Sequence, residues 1–230
     1  MTERLPTVCI IPAKLTSRRV PEKNLQKIDG VPLLVRTIRT YQDSGCFDYI
    51  GVSSESERVR EATAEAGAIW LMRPDALSDP YSTMKDVVLY HLPSLPFAPT
   101  EFYLAVGVAT SALLDPGDVA GAVNLCRSTG RATMIVTELP YLLSEVLGEE
   151  DGHLAPVLGQ GRSRDHGTRY VDAGALYVFP PFTFQRHQTF YPPDLQGYKV
   201  PRVRAVDINV PDDLHLARAL YHYRKLGYPE

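Results

Sequence analysis

Near the amino terminus an apolar run, Val8-Cys9-Ile10-Ile11, stops at Pro12 and gives way to a loop holding four cations in ten residues: Lys14, Arg18, Arg19 and Lys23. A short apolar run bounded by a proline suits a buried strand. In an open α/β sheet, ligands bind beyond the carboxyl ends of such strands, which is where this loop falls. Arg and Lys placed there can neutralise phosphoryl oxygens. Thr7 to Asn24 therefore reads as a grip on a polyphosphate, with Ser17 and Asn24 as neutral hydrogen-bond donors. The competing reading is a solvated basic loop, and the position straight after an apolar strand argues against it.

The rest of the chain alternates strand and helix. Val31 to Tyr41 carries a helical stripe, with Pro32 in its first turn. Phe47 to Val52 reads as a second strand. Ser54-Glu55-Ser56-Glu57 has capping-box spacing and opens a helix that closes at Gly67. Ala68 to Met72 is a short strand, and Arg73 to Tyr81 a polar, proline-punctuated loop of functional type. A helix over Ser82 to Leu92 and a buried strand over Phe102 to Val108 follow. Asp115, Pro116 and Asp118 start a helix that Gly130 stops. Arg131 to Glu138, Val171 to Phe179 and Ala205 to Ile208 supply further strands, and Pro211 to Leu226 a closing amphipathic helix. This order predicts an α/β, doubly wound, mostly parallel sheet. Residues 139 to 168 lose clear periodicity, and the polar turn Gly148 to Gly152 could tip a hairpin. A segment of that length suggests an arm inserted in a single domain spanning 1 to 230.

Composition narrows the function. The chain has 230 residues, a net charge of −3, and 44% hydrophobic and 22% charged residues. That is ordinary for a soluble domain with a sizeable core. A general nucleic-acid binder needs a broad basic surface, so any cationic patch here is local. The three cysteines (9, 46 and 126) are far apart and odd in number, which gives neither a metal spacing nor a disulfide framework and fits a reducing cytoplasm. No signal peptide and no membrane span is expected. The absence of G-x-G-x-x-G after the first strand, and of the G-x-x-x-x-G-K signature, disfavours a dinucleotide-dependent dehydrogenase and a P-loop ATPase. His153, His166 and His187 form no metal or nucleophile arrangement.

Several motifs carry a resemblance: Ile10-Ile11-Pro12-Ala13-Lys14, Ser17-Arg18 and Pro21-Glu22-Lys23-Asn24, then Arg73-Pro74, Thr110-Ser111, Asp172-Ala173-Gly174-Ala175-Leu176-Tyr177, and Asp207-Ile208-Asn209 before Pro211-Asp212-Asp213. In this order the chain resembles the cytidylyltransferases that activate 2-keto-3-deoxy sugar acids, which make CMP-sialic, CMP-pseudaminic, CMP-legionaminic and CMP-3-deoxy-octulosonic acids. The Asp172-Ala173-Gly174 variant looks more like the pseudaminic branch. The resemblance implies a Rossmann-like nucleotidyltransferase fold and a homodimer, with residues 139 to 168 reaching the partner. It also implies that Lys14, Arg18 and Lys23 hold the triphosphate and act in catalysis, with Ser17, Asn24, Arg73 and Ser82 against the nucleotide. Thr110, Ser111 and Tyr177 would bind the acceptor, and Arg162 or Arg164, or Arg169 nearby, its carboxylate. Asp207 and Asn209 match the pair that binds Mg2+; on a strand, positions i and i+2 share a face, so the two would stand side by side.

Other readings stand beside these. Ser82 is well placed as a helix N-cap, Arg73 could be an exposed loop charge, Tyr177 could be core, and Asp212 and Asp213 could complement a helix dipole. The chain also departs from the resembled pattern. Lys14 replaces an Arg and loses the bidentate fork; Leu15-Thr16 replaces two glycines; Asn209 replaces a carboxylate. Val108-Ala109 stands where a Gln-Pro is common, which removes a polar group from the pocket. The expected reaction is transfer of CMP from CTP to the anomeric hydroxyl of the sugar acid with release of pyrophosphate. The rivals are a cytidylyltransferase with another acceptor, such as a phosphonate or modified sugar, and a non-catalytic nucleotide-binding homologue.

Overall fold

The computed structural model describes residues 4–79, 81–98, 100–139, 146–150, 153–156 and 168–227. Seven strands form the central sheet in the order β11-β7-β10-β6-β1-β4-β5. They are β1 (Thr7–Pro12), β4 (Tyr49–Ser54), β5 (Ile69–Met72), β6 (Tyr103–Gly107), β7 (Thr133–Glu138), β10 (Tyr170–Phe179) and β11 (Gln196–Lys199). β1 pairs in parallel with β4 and β6, β4 with β5, and β7 with β11, whereas β10 is antiparallel to both β6 and β7. The expected mostly parallel α/β sheet is what the chain forms.

Alternation along β1 explains the layering. Cys9 and Ile11 join a core with Leu34, Ile38 and Val59, on the face covered by α1 (Leu33–Asp43), α2 (Glu57–Glu65) and α4 (Pro116–Thr129). Val8 and Ile10 face the other way, into a core with Val88 of α3 (Met84–His91) and Phe184 of α5 (Thr183–His187). Successive side chains of a strand point to opposite faces, and both faces of this sheet are covered, so the apolar run is unbroken. A third cluster joins Val20 of the basic loop to Ile28, Leu33, Ile208, and Leu214 and Ala217 of α6 (Pro211–Lys225). The carboxyl-terminal helix is thereby packed against the amino-terminal loop.

Local differences from the sequence expectations have physical causes. Helix α1 begins at Leu33, because Val31–Pro32 (β3) pairs with Lys27–Ile28 (β2) in a small hairpin and Pro32 becomes the N-cap. The capping box expected at Ser54 to Glu57 does not form: Ser56 is the N-cap without a side-chain bond, and Glu55 is drawn instead to tertiary donors. Thr83, not Ser82, caps α3 and exchanges hydrogen bonds with Asp86. The strand expected over Ala205 to Ile208 is absent. A 3-10 turn spans Arg202–Arg204, and Val206 and Ile208 pack into the α6 cluster, while Gln196–Lys199 takes the sheet edge beside β7. So short an alternation, with Asp207 between Val206 and Ile208, fits either environment, and packing decided between them.

Between β7 and β10, β8 (Leu147–Glu150) and β9 (His153–Pro156) form a separate antiparallel pair, the hairpin that the polar turn suggested. No helix of the described residues is long and apolar enough to cross a membrane.

Candidate active site

A cleft of about 780 Å³ opens over the carboxyl end of β1, lined by Lys14, Ser17, Arg18, Arg19, Lys23 and Asn24, with Ser78 and Asn209 on its far walls. The basic loop is braced from inside. Asn24 is buried, and its Nδ2 donates to the Lys14 carbonyl at 2.8 Å. Ala13 N–H donates to the Ser53 carbonyl at 2.9 Å, and Val20 is buried against the α6 cluster. The cations are thus displayed on a loop tied down at several points. Lys14 Nζ reaches the Asp79 carbonyl at 3.4 Å.

The acidic side of the cleft comes from the segment leading into α6. Lys23 Nζ donates to the Ile208 carbonyl at 2.6 Å, and Arg19 donates to Asn209 Oδ1 at 3.0 Å. Asn209 Nδ2 in turn donates to Asp207 Oδ2 at 2.6 Å. Asp207 and Asn209 do stand side by side, but not because of strand geometry: residues 205 to 209 lie in no strand. Asp213 accepts from the Asn209 and Val210 N–H groups at 2.7 and 2.8 Å and so serves the helix start, as its place in the first turn of α6 suggested. Burial pushes the Lys23 ammonium below its ordinary pKa; the Asp207 charge opposes this, and Arg19 adds to it.

Arg73 is not an exposed loop charge. It is only 4% exposed, and its guanidinium donates to Glu55 Oε2 at 2.7 Å. The same carboxylate accepts from Ser78 Oγ at 2.9 Å and, through Oε1, from the Leu15 N–H at 2.9 Å. Burial raises the Glu55 carboxyl, yet donation from Arg73, Leu15 and Ser78 outweighs it and leaves the pKa below its ordinary value. Beneath lies His91, within 2.8 Å of Ser53 Oγ; burial and the nearby Arg73 charge lower its pKa. Ser82 is half-buried and donates to the Ala76 carbonyl at 3.0 Å.

On the other side of β1, Thr110 and Ser111 are buried. Ser111 Oγ donates to the Val108 carbonyl at 2.6 Å and lies 3.4 Å from the Tyr41 hydroxyl, so its hydroxyl is engaged within the fold. Val108 packs on the apolar core. One strand over, Asp172 makes a polar array. Its Oδ2 accepts from the Tyr177 and Tyr191 hydroxyls, both at 2.8 Å, and its Oδ1 accepts from the Gly174 N–H at 2.8 Å. Gly174 takes φ +56, and a Cβ there would lie 2.9 Å from Asp207 Cγ. The β10 register shifts between Asp172 and Tyr177, which is the mark of a bulge re-aiming side chains. Burial first, then Asp172, raises the Tyr177 hydroxyl; Asp172 first, then burial, pushes Tyr191 up to about 12. Tyr177 is 6% exposed and stacks near Phe190, so it joins core and array. Arg169 stands just before β10, where its carbonyl accepts from the Leu139 N–H at 2.9 Å; Arg162 and Arg164 lie outside the described residues.

Three members of this arrangement escaped the sequence reading. Glu55 follows a parallel strand directly, at the end where ligands bind, and that signal was masked by its capping-box spacing. Asp172 was noted only as part of a motif. Tyr191 offers no sequence signal, since a bulge nineteen residues away selects it.

Comparison with known proteins places the chain among cytidylyltransferases. A cytidylyltransferase family model matches residues 8–140. Over 225 residues the chain is 27% identical to the pseudaminic acid cytidylyltransferase of Campylobacter jejuni (strain 81-176), covering 94% of this chain and 97% of that one. It is 26% identical to the N-acylneuraminate cytidylyltransferase of Streptococcus agalactiae (strain ATCC BAA-611 / 2603 V/R), covering 93% of this chain and 53% of the relative. Its fold is similar to that of CMP:2-keto-3-deoxy-manno-octonic acid synthetase solved with CTP: TM-score 0.69 at 14% identity, over 95% of this chain and 99% of that one.

Proposed function

The chain belongs to the cytidylyltransferase family, and from that premise we propose that it transfers CMP from CTP to the anomeric hydroxyl of a 2-keto-3-deoxy sugar acid of the sialic or pseudaminic type. The hydroxyl oxygen attacks the α-phosphorus, the bond from that phosphorus to the bridging oxygen breaks, pyrophosphate leaves and the hydroxyl proton is released. The observation that carries the reading is the meeting of the loop cations with Asp207 and Asn209 across one cleft.

Lys14, Arg18 and Lys23 take the triphosphate, with Arg19 beside them, and stabilise the charge that develops on the α-phosphate and the leaving group. Ser17, Asn24, Arg73 and Ser82 are assigned to the nucleotide side of the cleft. The bonds from Asn24 to the Lys14 carbonyl and from Arg73 to Glu55 support a role for these two in holding that side in shape. A divalent ion fits one carboxylate and one amide oxygen if phosphate oxygens and water supply its remaining ligands, as is usual for Mg2+. No group of three or more His, Cys, Asp or Glu side chains among the described residues could hold a resident ion. Asp207 and Asn209 would therefore hold Mg2+ that arrives with CTP, and it would supply charge neutralisation on the phosphates. Lys23 and Arg19 keep the acidic segment in place against the loop.

The acceptor lies, in this reading, toward Tyr177, Thr110 and Ser111. Val108 offers it no polar atom, but the Asp172 array does: both tyrosine hydroxyl protons point to the carboxylate, so their oxygens are left to accept from hydroxyl or amide donors on a sugar. That array suits the hydroxyl and amide donors of a sugar. The exposed Leu147 and Leu154 of the β8–β9 hairpin support an arm that reaches a second copy. The test is a pyrophosphate-release assay with CTP and magnesium across a panel of acceptors. Turnover with 2-keto-3-deoxy sugar acids is expected; turnover only with a phosphonate, or with none of the panel, would overturn the assignment.

A further inference from the structure

The inference rests on the nucleotide reading above and goes further into how the pocket is built. We propose that Glu55 is a positioning residue that welds the phosphate-binding loop to the loop after β5, so that the two walls of the CTP cleft act as one unit. Glu55 follows the last residue of β4, and its carboxylate collects three donors from two separate stretches: the Leu15 N–H, the Arg73 guanidinium and the Ser78 hydroxyl. Leu15 and Ser78 both line the cleft. The Arg73 and Glu55 side chains are 3% and 14% exposed, and charge-assisted bonds held away from water are the strong ones.

The clamp has a consequence for phosphate binding. The Leu15 amide of the basic loop is committed to Glu55 and is not offered to a ligand, and the Leu15 side chain packs on the core. Leu15 therefore gives the triphosphate no main-chain donor, and the side-chain cations around it take positions that depend on where the loop is pinned. Arg73 also gains a fixed orientation, because an unpaired guanidinium at that depth would be heavily penalised. Glu55 touches no reacting atom in this scheme; it acts through Leu15, Arg73 and Ser78.

Three variants test this: Glu55→Gln, which keeps shape and loses charge; Glu55→Asp, whose shorter arm cannot serve all three donors; and Glu55→Ala. Equilibrium binding of CTP with magnesium should weaken by about tenfold in Glu55→Gln, the size expected for lost charged hydrogen bonds, and by less in Glu55→Asp. The KM for CTP should rise while kcat at saturating CTP falls far less. A merely structural role would lower activity only in step with the folded fraction. Amide hydrogen exchange at Leu15, followed without nucleotide, should quicken in Glu55→Gln and Glu55→Ala while exchange in β1 stays unchanged. Unaltered Leu15 exchange, or unaltered CTP affinity in folded Glu55→Gln, would overturn the clamp. Failure of the unmutated protein to bind CTP would instead overturn the nucleotide reading, and the exchange measurement separates the two failures.

Discussion

Lys23 is held between opposing demands: its ammonium bonds the Ile208 carbonyl and lies near Asp207, yet it is partly desolvated. A cation in that position gains most when an anion arrives, because phosphate oxygens replace water it has already lost. Lys23→Ala should therefore lower kcat about 100-fold or more, the scale of losing one preorganised stabiliser of developing charge, with little change in thermal midpoint; steady-state kinetics beside a melt checks both. The role of Lys23 as a cation was legible from its place after a strand. Its partner was not, because Ile208 lies 185 residues away and is brought there by packing. Asn209 is similar: as a residue type it advertised a lost charge, but only the fold reveals that its amide oxygen faces Arg19 and its amide hydrogens face Asp207.

Two elements carry the proposed acceptor side and the proposed arm. The bulge in β10 needs a left-handed residue at 174 with no side chain toward Asp207. Gly174→Ala should destabilise the protein by about 1–3 kcal/mol, from an unfavourable backbone region and a close contact, measured by urea unfolding. It should also weaken acceptor use, because Asp172 binds the Gly174 N–H. The β8–β9 hairpin makes a different prediction. Leu147 and Leu154 are 51% and 66% exposed, and their joint replacement by Glu should convert the proposed dimer to a monomer in light scattering without altering the far-ultraviolet dichroism. The hairpin was readable from its polar turn. The strand predicted over 205 to 208 does not form: Val206 and Ile208 alternate with Asp207 as in a half-buried strand, and so short an alternation carries no information on whether a sheet edge or a helix will cover it.

At the scale of the whole molecule, helices on both faces leave one cleft at the carboxyl end of β1, walled by Ser78 of the loop after β5 and by Asn209 of the segment before α6, and α6 packs on Val20 and Ile28 of the amino-terminal stretch. Ligand binding should thus stabilise the entire domain. With magnesium present, CTP at about 100 times its Kd should add roughly 2.7 kcal/mol, which is a rise of about 5–10 °C for a chain of this size; UTP, ATP and GTP should give much smaller shifts. Equal shifts with all four nucleotides would contradict a cytosine-reading pocket. The sequence by itself determined the layered α/β sheet and the cationic loop at its ligand-binding end, because burial periodicity and the character of charged residues are local properties. Only the tertiary structure decided that Glu55 would hold Leu15, Arg73 and Ser78, that Asp172 would gather two tyrosines, and that Asn209 would join Arg19 to Asp207. Those contacts link residues distant in the chain, and their geometry is set by how helices and loops pack once the sheet has formed.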